Sequence, residues 1–303
     1  MTCLVVGGAG FIGRFVVSEL LAMGMRTIVG DVVASDAPEF RTMDVRRERS
    51  IRKALVGVDC VIDLAWSAVP ASATAHPIDD VRQNVLGTLR LFSSCVAAGV
   101  RRVVFCSSGG AIYGPPRALP ISEDHPTAPI SSYGVTKLAA ESYLRMYGHM
   151  HGLAYIILRP GNAYGEGQRT RQQQGLVAAC LNAAARKGVL DVWGDGSVVR
   201  DYVHAADIAR AIAMAATADA AGQVLNIGTG RGHSVNEIIA IVRTVTGLNV
   251  NVRYQPARPF DAHDNVLDSR KAEQCLGWRA EVPLARGIER QWRALIDHPS
   301  GQP

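Results

Sequence analysis

The sequence of 303 residues predicts an α/β protein built on a doubly wound, parallel β-sheet. Short apolar segments of strand length alternate with helical segments along the first half of the chain, as they do when helices connect the strands of a parallel sheet. The first strand runs directly into a glycine-rich loop. Several predicted strands end on polar residues, and in a parallel sheet these ends meet at one edge, where ligands bind.

The first strand and the loop after it carry the strongest signal. Residues 2–6 are apolar enough for a strand that is buried on both faces, and the loop that follows reads Gly-Gly-Ala-Gly-Phe-Ile-Gly. Gly7 permits a tight turn, Gly10 lets a pyrophosphate approach the backbone, and Gly13 lets the next helix pack against the strand. The free N–H groups at the start of that helix can bind phosphate oxygens.

The second predicted strand, residues 27–31, ends at Asp31. A carboxylate at this place can accept hydrogen bonds from both hydroxyls of a ribose, and its charge disfavours a 2′-phosphate. The order of strand, glycine loop, helix, strand and acid therefore predicts a Rossmann dinucleotide-binding unit that takes NAD.

The composition fits a folded globular protein, with 48% hydrophobic residues, 19% charged residues and a net formal charge of +5. Basic residues form no long run, so we expect no nucleic-acid partner. No apolar segment approaches the length of a membrane span, and we expect neither a membrane anchor nor a signal peptide. The six cysteines lack the spacing of metal ligands, which predicts no metal site and favours a reducing cytoplasm.

The remaining strands of the first half continue the alternating pattern, with a long helix at residues 79–98. These strands are predicted at residues 41–45, 59–65, 101–106 and 153–158. Their ends would bring Asp44, Ala65 and the pair Ser107 and Ser108 to the same edge as Asp31.

After residue 160 the pattern is looser. The polar residues 168–174 predict a mobile loop, and short strands are expected on both sides of the turn at 194–196. Trp193, Tyr202 and Trp278 are expected to pack in the core, and His204 is interpreted as a structural residue.

Tyr133 and Lys137 are four residues apart at the start of a predicted helix, so their side chains share one face. A nearby ammonium group lowers the pKa of a phenol, which would make Tyr133 a general base near neutral pH. Ser107 or Ser108, at the end of the fifth strand, could bind the same substrate oxygen. This set predicts oxidation of a hydroxyl by hydride transfer to NAD.

Several motifs in the same order resemble those of the extended short-chain dehydrogenases/reductases, and specifically the NAD-dependent nucleotide-sugar epimerases typified by UDP-glucose 4-epimerase. The matching segments, read as printed, are GGAGFIG at 7–13, DV at 44–45, NVLGT at 84–88, SS at 107–108, IYG at 112–114, Tyr133 with Lys137, Asn162, RDYVH at 200–204 with Asp207, RP at 258–259 with Asp261, and LGW at 276–278. The resemblance covers nearly the whole chain.

The resemblance implies roles for individual residues. NAD would be bound by Gly7, Gly10, Phe11, Ile12, Gly13, Asp31, Asp44, Val45, Leu64, Ala65, Asn84, Tyr133 and Lys137. The substrate would be bound by Ser108, Tyr133, Asn162, Arg200 and Arg258, with the two arginines on a diphosphate. Surface ion pairs with Asp201 or Asp261 are the alternative interpretation of the two arginines.

The sequence departs from the family pattern at two places. Ser108 lies five residues before Tyr113, one more than usual, and Gly109 and Gly110 could absorb the extra residue as a bulge. We therefore expect Ser108 to be catalytic, with Ser107 as the second choice. The glycine pair also replaces the Asp-Glu pair of the related dehydratases, which argues against dehydration. Trp66 stands where the family usually has a small residue, and it could either narrow the nicotinamide side of the pocket or pack under a loop.

The predicted function is epimerisation of a nucleotide-diphosphate sugar, at C4, through a transient 4-keto sugar. A reductase or dehydrogenase of another carbonyl substrate and a non-catalytic NAD-binding regulator are the alternatives. We expect the NAD-binding domain to comprise residues 1–160 and about 203–228, and a smaller, discontinuous substrate domain to comprise 161–202 and 229–303. The resemblance also implies a homodimer, formed through the helices at 79–98 and 133–147. The sequence leaves the sugar and the nucleotide open.

Overall fold

A computed structural model describes residues 1–168, 175–258 and 262–297. The predicted loop at 168–174, except for its first residue, and Pro259 and Asp261 of the predicted phosphate motif lie outside the described residues. The strands are β1 (Thr2–Val6), β2 (Arg26–Asp31), β3 (Phe40–Thr42), β4 (Cys60–Asp63), β5 (Arg102–Cys106), β6 (Ala154–Pro160), β7 (Asn162–Tyr164), β8 (Val189–Trp193), β9 (Val199–His204), β10 (Gln223–Ile227), β11 (Gly232–Ser234), β12 (Asn251–Gln255) and β13 (Asp264–Asn265).

Seven of these strands form one parallel sheet in the order β10-β6-β5-β4-β1-β2-β3. The chain runs outward from β1 through β2 to β3, and then returns to pair β4 with the other side of β1. This reversal of direction opens a crevice at the carboxyl ends of β1 and β4, where ligands bind in doubly wound sheets. The predicted fold class is confirmed.

Most of the helices lie between strands in sequence, and several of them cover the two faces of the large sheet. The helices of the described residues are α1 (Phe11–Ala22), α2 (Glu48–Ala54), α3 (Pro70–Ala75), α4 (Pro77–Asp80), α5 (Leu86–Ala97), α6 (Ser132–His151), α7 (Leu176–Arg186), α8 (Ala205–Thr217), α9 (Val235–Thr246), α10 (Arg270–Leu276) and α11 (Leu284–Asp297). On one face, α1 and the alanine-rich α8 pack on the sheet, and on the other face α2, α5 and α6 do so. Each face therefore has its own fully buried apolar layer.

A separate apolar cluster lies outside the large sheet. It is formed by α7, α9, α11 and strand β8, and its fully buried members include Leu181, Ile238 and Ile288. Two small sheets adjoin this cluster: β12 pairs with β8, and β9 pairs with β7, β11 and β13. Strand β9 then leads directly into α8, which connects this part of the chain back to the large sheet.

The boundaries of several elements differ from the sequence predictions. The helix predicted at 79–98 is interrupted, because a π-helical turn, Val81–Val85, joins α4 to α5. Helix α6 is longer than predicted and ends where Gly152 takes the left-handed conformation, with φ of 67°. Strands β7 and β12 were not predicted, because β7 has only three residues and β12 is short and largely exposed. None of the helices in the described residues is long and apolar enough to cross a membrane.

Candidate active site

A cleft of about 930 Å³ lies at the carboxyl end of the large sheet. Of the predicted site residues, it is lined by Gly7, Gly10, Phe11, Ile12, Gly13, Leu64, Ser107, Ser108, Tyr133, Lys137, Asn162, Arg200 and Arg258. The cleft extends from the glycine loop, past the tyrosine and the serines, to the small sheets of the second half. Residues that are far apart in sequence thus line one cavity, and most of the residues predicted from the motifs are among them.

The glycine loop forms a cradle in which side chains would not fit. Gly7 has φ of 79°, and a Cβ atom at Gly13 would lie 2.4 Å from the carbonyl oxygen of Gly7. Among the described residues, no side chain caps the start of α1, so its first N–H groups remain available to a ligand. These N–H groups and the positive end of the helix dipole face the cleft, an arrangement that fits the pyrophosphate of a dinucleotide.

Asp31 ends β2 next to this cradle. Its Oδ2 accepts a hydrogen bond from the N–H of Ala9 at 3.1 Å, and its Oδ1 accepts one from the N–H of Val33 at 3.1 Å. The carboxylate thus supports the glycine loop as well as standing at the end of the strand. Each oxygen keeps a lone pair that a ribose hydroxyl could use.

Tyr133 is held beside Ser108 at the start of α6. The helix begins at a cap formed by Ser131, whose hydroxyl accepts the N–H of Gly134 at 3.2 Å. The side chain of Ser108 lies close enough to the phenol to act on its pKa. In contrast, the hydroxyl of Ser107 is buried and has no hydrogen-bond partner among the described residues. Of the two serines, Ser108 is the one whose side chain acts on the phenol, and its catalytic role stays a prediction.

Lys137 lies one helical turn further along α6 and is only 3% exposed. Its Nζ donates a hydrogen bond to the carbonyl oxygen of Cys106 at 2.7 Å and lies 3.9 Å from the centre of the Trp66 ring. Burial lowers the pKa of Lys137 to about 8, although acidic groups such as Cys106 and Asp63 act in the opposite direction. The ammonium group can therefore lose its proton close to physiological pH.

The expected lowering of the tyrosine pKa is not found. Burial raises the pKa of Tyr133 well above its ordinary value, the negative form of Cys106 adds to this, and the hydrogen bond from Ser108 only partly offsets it. Nζ of Lys137 lies 6.0 Å from the centre of the tyrosine ring. Its nearer partners are the carbonyl of Cys106 and the indole of Trp66, so the chain alone does not activate the phenol in the way the spacing suggested.

The two predicted phosphate arginines line the other end of the cleft. The guanidinium of Arg258 stacks on Trp193, with its carbon 3.4 Å from the ring centre. Arg200 donates to the carbonyl oxygens of Val199 and His263 at 2.8 Å and 3.1 Å. Trp193 was expected in the core, but it is partly exposed and lines the cleft, because a cation rather than apolar side chains covers its face.

The alternative of an Arg200–Asp201 ion pair is not supported by the surroundings of Asp201. This carboxylate is fully buried and accepts hydrogen bonds from the N–H groups of Thr229, Gly230 and Leu267. These hydrogen bonds join β9 to the segment of Thr229 and Gly230 and to the segment of Leu267. Asp201 is therefore a structural residue.

Asn162 places its side chain beside the glycine pair of the serine loop. A Cβ atom at Gly110 would lie 3.1 Å from Oδ1 of Asn162, and one at Gly109 would lie 2.8 Å from the carbonyl oxygen of Arg159. The pair lies in a turn beyond the end of β5, so the extra residue is accommodated in the loop and not as a bulge of the paired strand. The absence of side chains here lets β6 and Asn162 approach Ser108.

Five of the residues predicted to bind the cofactor do not line this cleft, although the structure describes all of them. They are Asp31, Asp44, Val45, Ala65 and Asn84. Asp44 binds the guanidinium of Arg46 through both carboxylate oxygens at 2.9 Å. Asn84 is buried, donates to Asp80 at 2.7 Å and accepts from the N–H of Ser67 at 2.9 Å. Its amide thus fixes the loop after β4, an internal role that the motif did not reveal.

Two aromatic residues and a histidine behave as structural residues, as expected. Trp278 is buried and its indole N–H donates to the carbonyl oxygen of Asp207 at 2.9 Å. Tyr202 is also buried. His204 caps α8 through Nδ1, and its Nε2 lies 3.0 Å from a carboxylate oxygen of Glu166.

The structure adds residues that the sequence prediction missed. Asp63 ends β4 beneath the cleft, and burial raises its pKa to about 6 against the opposing charge of Lys137. Its place at the carboxyl end of a predicted strand was the available signal. Trp193 carries no comparable signal, because an isolated tryptophan before a turn is as consistent with packing as with a binding role.

The fold and the cleft define an NAD-binding protein with the tyrosine and lysine pair of a dehydrogenase/reductase. A sequence model of the NAD dependent epimerase/dehydratase family matches residues 3–228. The chain is 34% identical over 301 residues to a UDP-glucose 4-epimerase of Mycolicibacterium smegmatis, an alignment that covers 95% of this chain and 96% of that protein. The chain therefore belongs to the NAD dependent epimerase/dehydratase family.

Solved structures agree with this assignment. The chain resembles a UDP-glucose 4-epimerase of Thermotoga maritima solved with UDP-glucose, with a TM-score of 0.95, 33% identity, and coverage of 99% of this chain and 100% of that chain. It also resembles a UDP-glucose 4-epimerase of Thermus thermophilus in complex with NAD, with a TM-score of 0.92, 33% identity, and coverage of 98% of this chain and 99% of that chain. These matches extend along essentially the full length of both chains.

Proposed function

We propose that this protein is an NAD-dependent epimerase of a nucleotide-diphosphate sugar that inverts the configuration at C4 of the sugar. The observation that carries the proposal is the convergence of three features on one cleft. The glycine cradle lies at one end, Tyr133 with Ser108 and Lys137 lies in the middle, and Arg200 and Arg258 lie at the other end. A dinucleotide, a reacting hydroxyl and a diphosphate each meet suitable groups in this order.

Tyr133 is the proposed general base and acid. Its phenolic oxygen would take the proton of the C4 hydroxyl, and Ser108 would hold the same substrate oxygen by a hydrogen bond. NAD, when bound, supplies a reversible acceptor for the hydride of C4 and also a positive charge that favours the phenolate. The charge of Lys137 acts in the same direction, and together these charges must overcome the effect of burial on Tyr133.

The arginines are proposed to keep the substrate attached while the sugar turns. Loss of hydride makes C4 planar in a 4-keto sugar, so the configuration at that carbon is lost. If the sugar then presents its other face while the diphosphate stays bound to Arg200 and Arg258, reduction gives the epimer. Charge-assisted hydrogen bonds from two guanidinium groups suit such a fixed anchor.

The division of the chain into two functional parts follows the apolar clusters. We propose that residues 1–160 and about 203–228 bind NAD, and that 161–202 and 229–303 bind the nucleotide sugar. The separate apolar cluster of α7, α9 and α11 supports this division. Its position at the arginine end of the cleft agrees with a role in substrate binding.

We also propose that the protein is a homodimer in the cytoplasm. The exposed side of α6 carries Val135, Tyr143, Met146 and Met150, which are between 39% and 62% exposed and share one helical face. All six cysteines are free, as expected in a reducing compartment. Light scattering of the purified protein tests the dimer, and Tyr143→Glu with Met150→Glu should give monomers.

One assay tests the proposed activity. The purified protein, saturated with NAD, is incubated with UDP-glucose, UDP-N-acetylglucosamine and the GDP and dTDP sugars, and the products are separated by chromatography. We expect one substrate to give its C4 epimer without net change in the absorbance of reduced cofactor. Net consumption or formation of NADH would instead identify a dehydrogenase or reductase, and the absence of any product would reject the epimerase.

A further inference from the structure

Trp66 is the residue of the cleft that the family resemblance does not explain. It follows β4 in a loop and lines the cleft beside the catalytic pair. Its indole ring lies beneath Lys137, with Nζ 3.9 Å from the ring centre. This contact of a cation with a tryptophan ring lies at the catalytic pair, whereas the contact of Arg258 with Trp193 lies at the other end of the cleft.

The surroundings of this ring show why the contact matters. The edge of Trp66 meets Tyr133 with ring centres 6.4 Å apart and an interplanar angle of 84°. It also packs on Phe105, with centres 6.2 Å apart. The indole therefore packs against both members of the catalytic pair.

We propose that Trp66 is a positioning residue, which keeps Lys137 charged and directed into the cleft by placing its ring face against the ammonium group. Among the described residues, the ammonium is held by the carbonyl oxygen of Cys106 at 2.7 Å and by the indole face at 3.9 Å, with the ring of Phe105 further away at 4.9 Å. The face of an aromatic ring attracts a cation that has lost its water, and the attraction is largest for tryptophan. The effect of this charge on catalysis rests on the proposed function, whereas the effect of Trp66 on the charge of Lys137 does not.

Changing Trp66 leaves the other titratable groups around Lys137 in place. They face the ammonium from β4, from α4, from the end of β5 and from α6 itself. These groups are Asp63, Asp80, Cys106, Tyr133 and Glu141. Burial opposes the charged form of Lys137 and brings its pKa to about 8, so a modest loss of stabilisation would neutralise the group at working pH.

The substitution Trp66→Leu removes the ring face but keeps an apolar side chain over Lys137. Because burial persists while the cation–π contact is lost, we expect the pKa of Lys137 to fall by roughly half to one unit. Trp66→Phe retains a ring and should restore about half of this change. Since phenylalanine has no N–H, restoration by Trp66→Phe also excludes the indole N–H as the operative group.

The pKa of Lys137 can be measured directly by NMR. The chain has four lysines, Lys53, Lys137, Lys187 and Lys271, so labelling with lysine carrying ¹³C at Cε gives four lysine signals. A sample of Lys137→Met assigns the signal of interest, and the protein is titrated with NAD bound. A circular dichroism spectrum equal to that of the parent protein reports that each Trp66 variant is folded.

The matched control is Trp292→Leu, which makes the same exchange on α11, in the separate apolar cluster of the second half. It should leave the titration of Lys137 unchanged. If Trp66→Leu also leaves it unchanged, the proposal is wrong. The titration requires no turnover of a nucleotide sugar, so its result is independent of whether the proposed function is correct.

Activity then tests the consequence. In Trp66→Leu, the decline of kcat at high pH should begin roughly half to one pH unit lower than in the parent protein, while KM for the nucleotide sugar stays within about twofold. A uniform loss of kcat at every pH would contradict a role through the charge of Lys137, as would a change confined to KM.

Discussion

In two parts of the cleft a cation lies on a tryptophan ring, but the two pairs have different surroundings. Lys137 is 3% exposed, lies 3.9 Å from the centre of Trp66 and has a pKa that burial lowers to about 8. Arg258 is half-buried, stacks on Trp193 at 3.4 Å and borders the open side of the cleft. The first cation can change its charge, and the second cannot, because guanidinium stays protonated in proteins.

This difference indicates a division of work. Groups that must gain or lose protons lie in the buried middle of the cleft, where the charge of a neighbour strongly affects a pKa. Groups that only hold a charged ligand lie where a diphosphate can reach them. Changes in the catalytic part should therefore reduce kcat, and changes at the arginine end should mainly raise KM.

The largest effect is expected for Tyr133→Phe. The substitution removes the proton-transferring oxygen but keeps the ring that packs against Trp66. We expect kcat to fall by about 10³-fold or more, the upper part of the range for loss of a general base. Steady-state kinetics with the substrate found in the panel measures it.

NAD should remain bound to Tyr133→Phe, because the glycine cradle is untouched. Isothermal titration with NAD provides this control. Retention of more than about a tenth of the parental kcat would contradict the general-base role.

The two serines provide a second, smaller contrast within the catalytic part. The side chain of Ser108 lies against the phenol of Tyr133 and acts to lower its pKa, whereas the hydroxyl of Ser107 is buried without a hydrogen-bond partner among the described residues. Ser108→Ala should lower kcat by about 10²-fold, as for loss of one donor to a reacting oxygen. Ser107→Ala should change kcat by less than about threefold.

Thermal unfolding gives an independent check of the serine pair. Removing an unpaired buried hydroxyl should leave the free energy of unfolding unchanged or raise it by about 1 kcal/mol in Ser107→Ala. Equal losses of kcat in both variants would mean that the hydrogen-bond geometry does not identify the catalytic serine.

The catalytic part could be predicted from the sequence further than the arginine end could. Residues 2–31 have both the buried-strand pattern and the glycine spacing that fix their structure locally, and the structure has β1, α1 and β2 where they were expected. Tyr133 and Lys137 share a face because helical geometry requires it. The predicted lowering of the pKa of Tyr133 was wrong, because the burial of this residue depends on Trp66, Phe105 and other residues far apart in sequence.

The second half has fewer local determinants. Strand β12 pairs with β8 although 57 residues, 194–250, separate the end of one from the start of the other. The strand Asn251–Gln255 alternates polar and apolar residues, but it is short and largely exposed, so its pairing is decided by tertiary contacts. The stacking of Arg258 on Trp193 depends on this pairing, because the two residues lie next to the paired strand ends.

The arginine end should respond through KM. Arg258→Ala removes charge-assisted hydrogen bonds to the proposed diphosphate and should raise KM about 30-fold, equivalent to about 2 kcal/mol, with kcat reduced less than about threefold. Arg258→Lys keeps the charge but loses the planar stacking on Trp193, so its KM should lie between those of the parent protein and Arg258→Ala. A reduction of kcat without a change of KM would contradict the anchoring role.

The smallest effect is expected at Asp31, which serves both the loop and the proposed ribose contact. Asp31→Ala should weaken NAD binding about tenfold, equivalent to about 1.4 kcal/mol, and should reduce the preference for NAD over NADP. Part of this loss would arise from the glycine loop, because the carboxylate accepts the N–H of Ala9 at 3.1 Å.

Asp31→Asn separates these contributions. The amide oxygen can still accept one backbone N–H, so the loop keeps part of its support, but the negative charge is gone. If charge repulsion of the 2′-phosphate sets the cofactor preference, Asn and Ala should relax the preference for NAD to the same extent, while Asn retains tighter NAD binding. Fluorescence titration with NADH and NADPH measures the affinity of each variant for both cofactors, and thus its cofactor preference. Full retention of the preference in Asp31→Asn would show that the shape of the loop, and not the charge, excludes NADP.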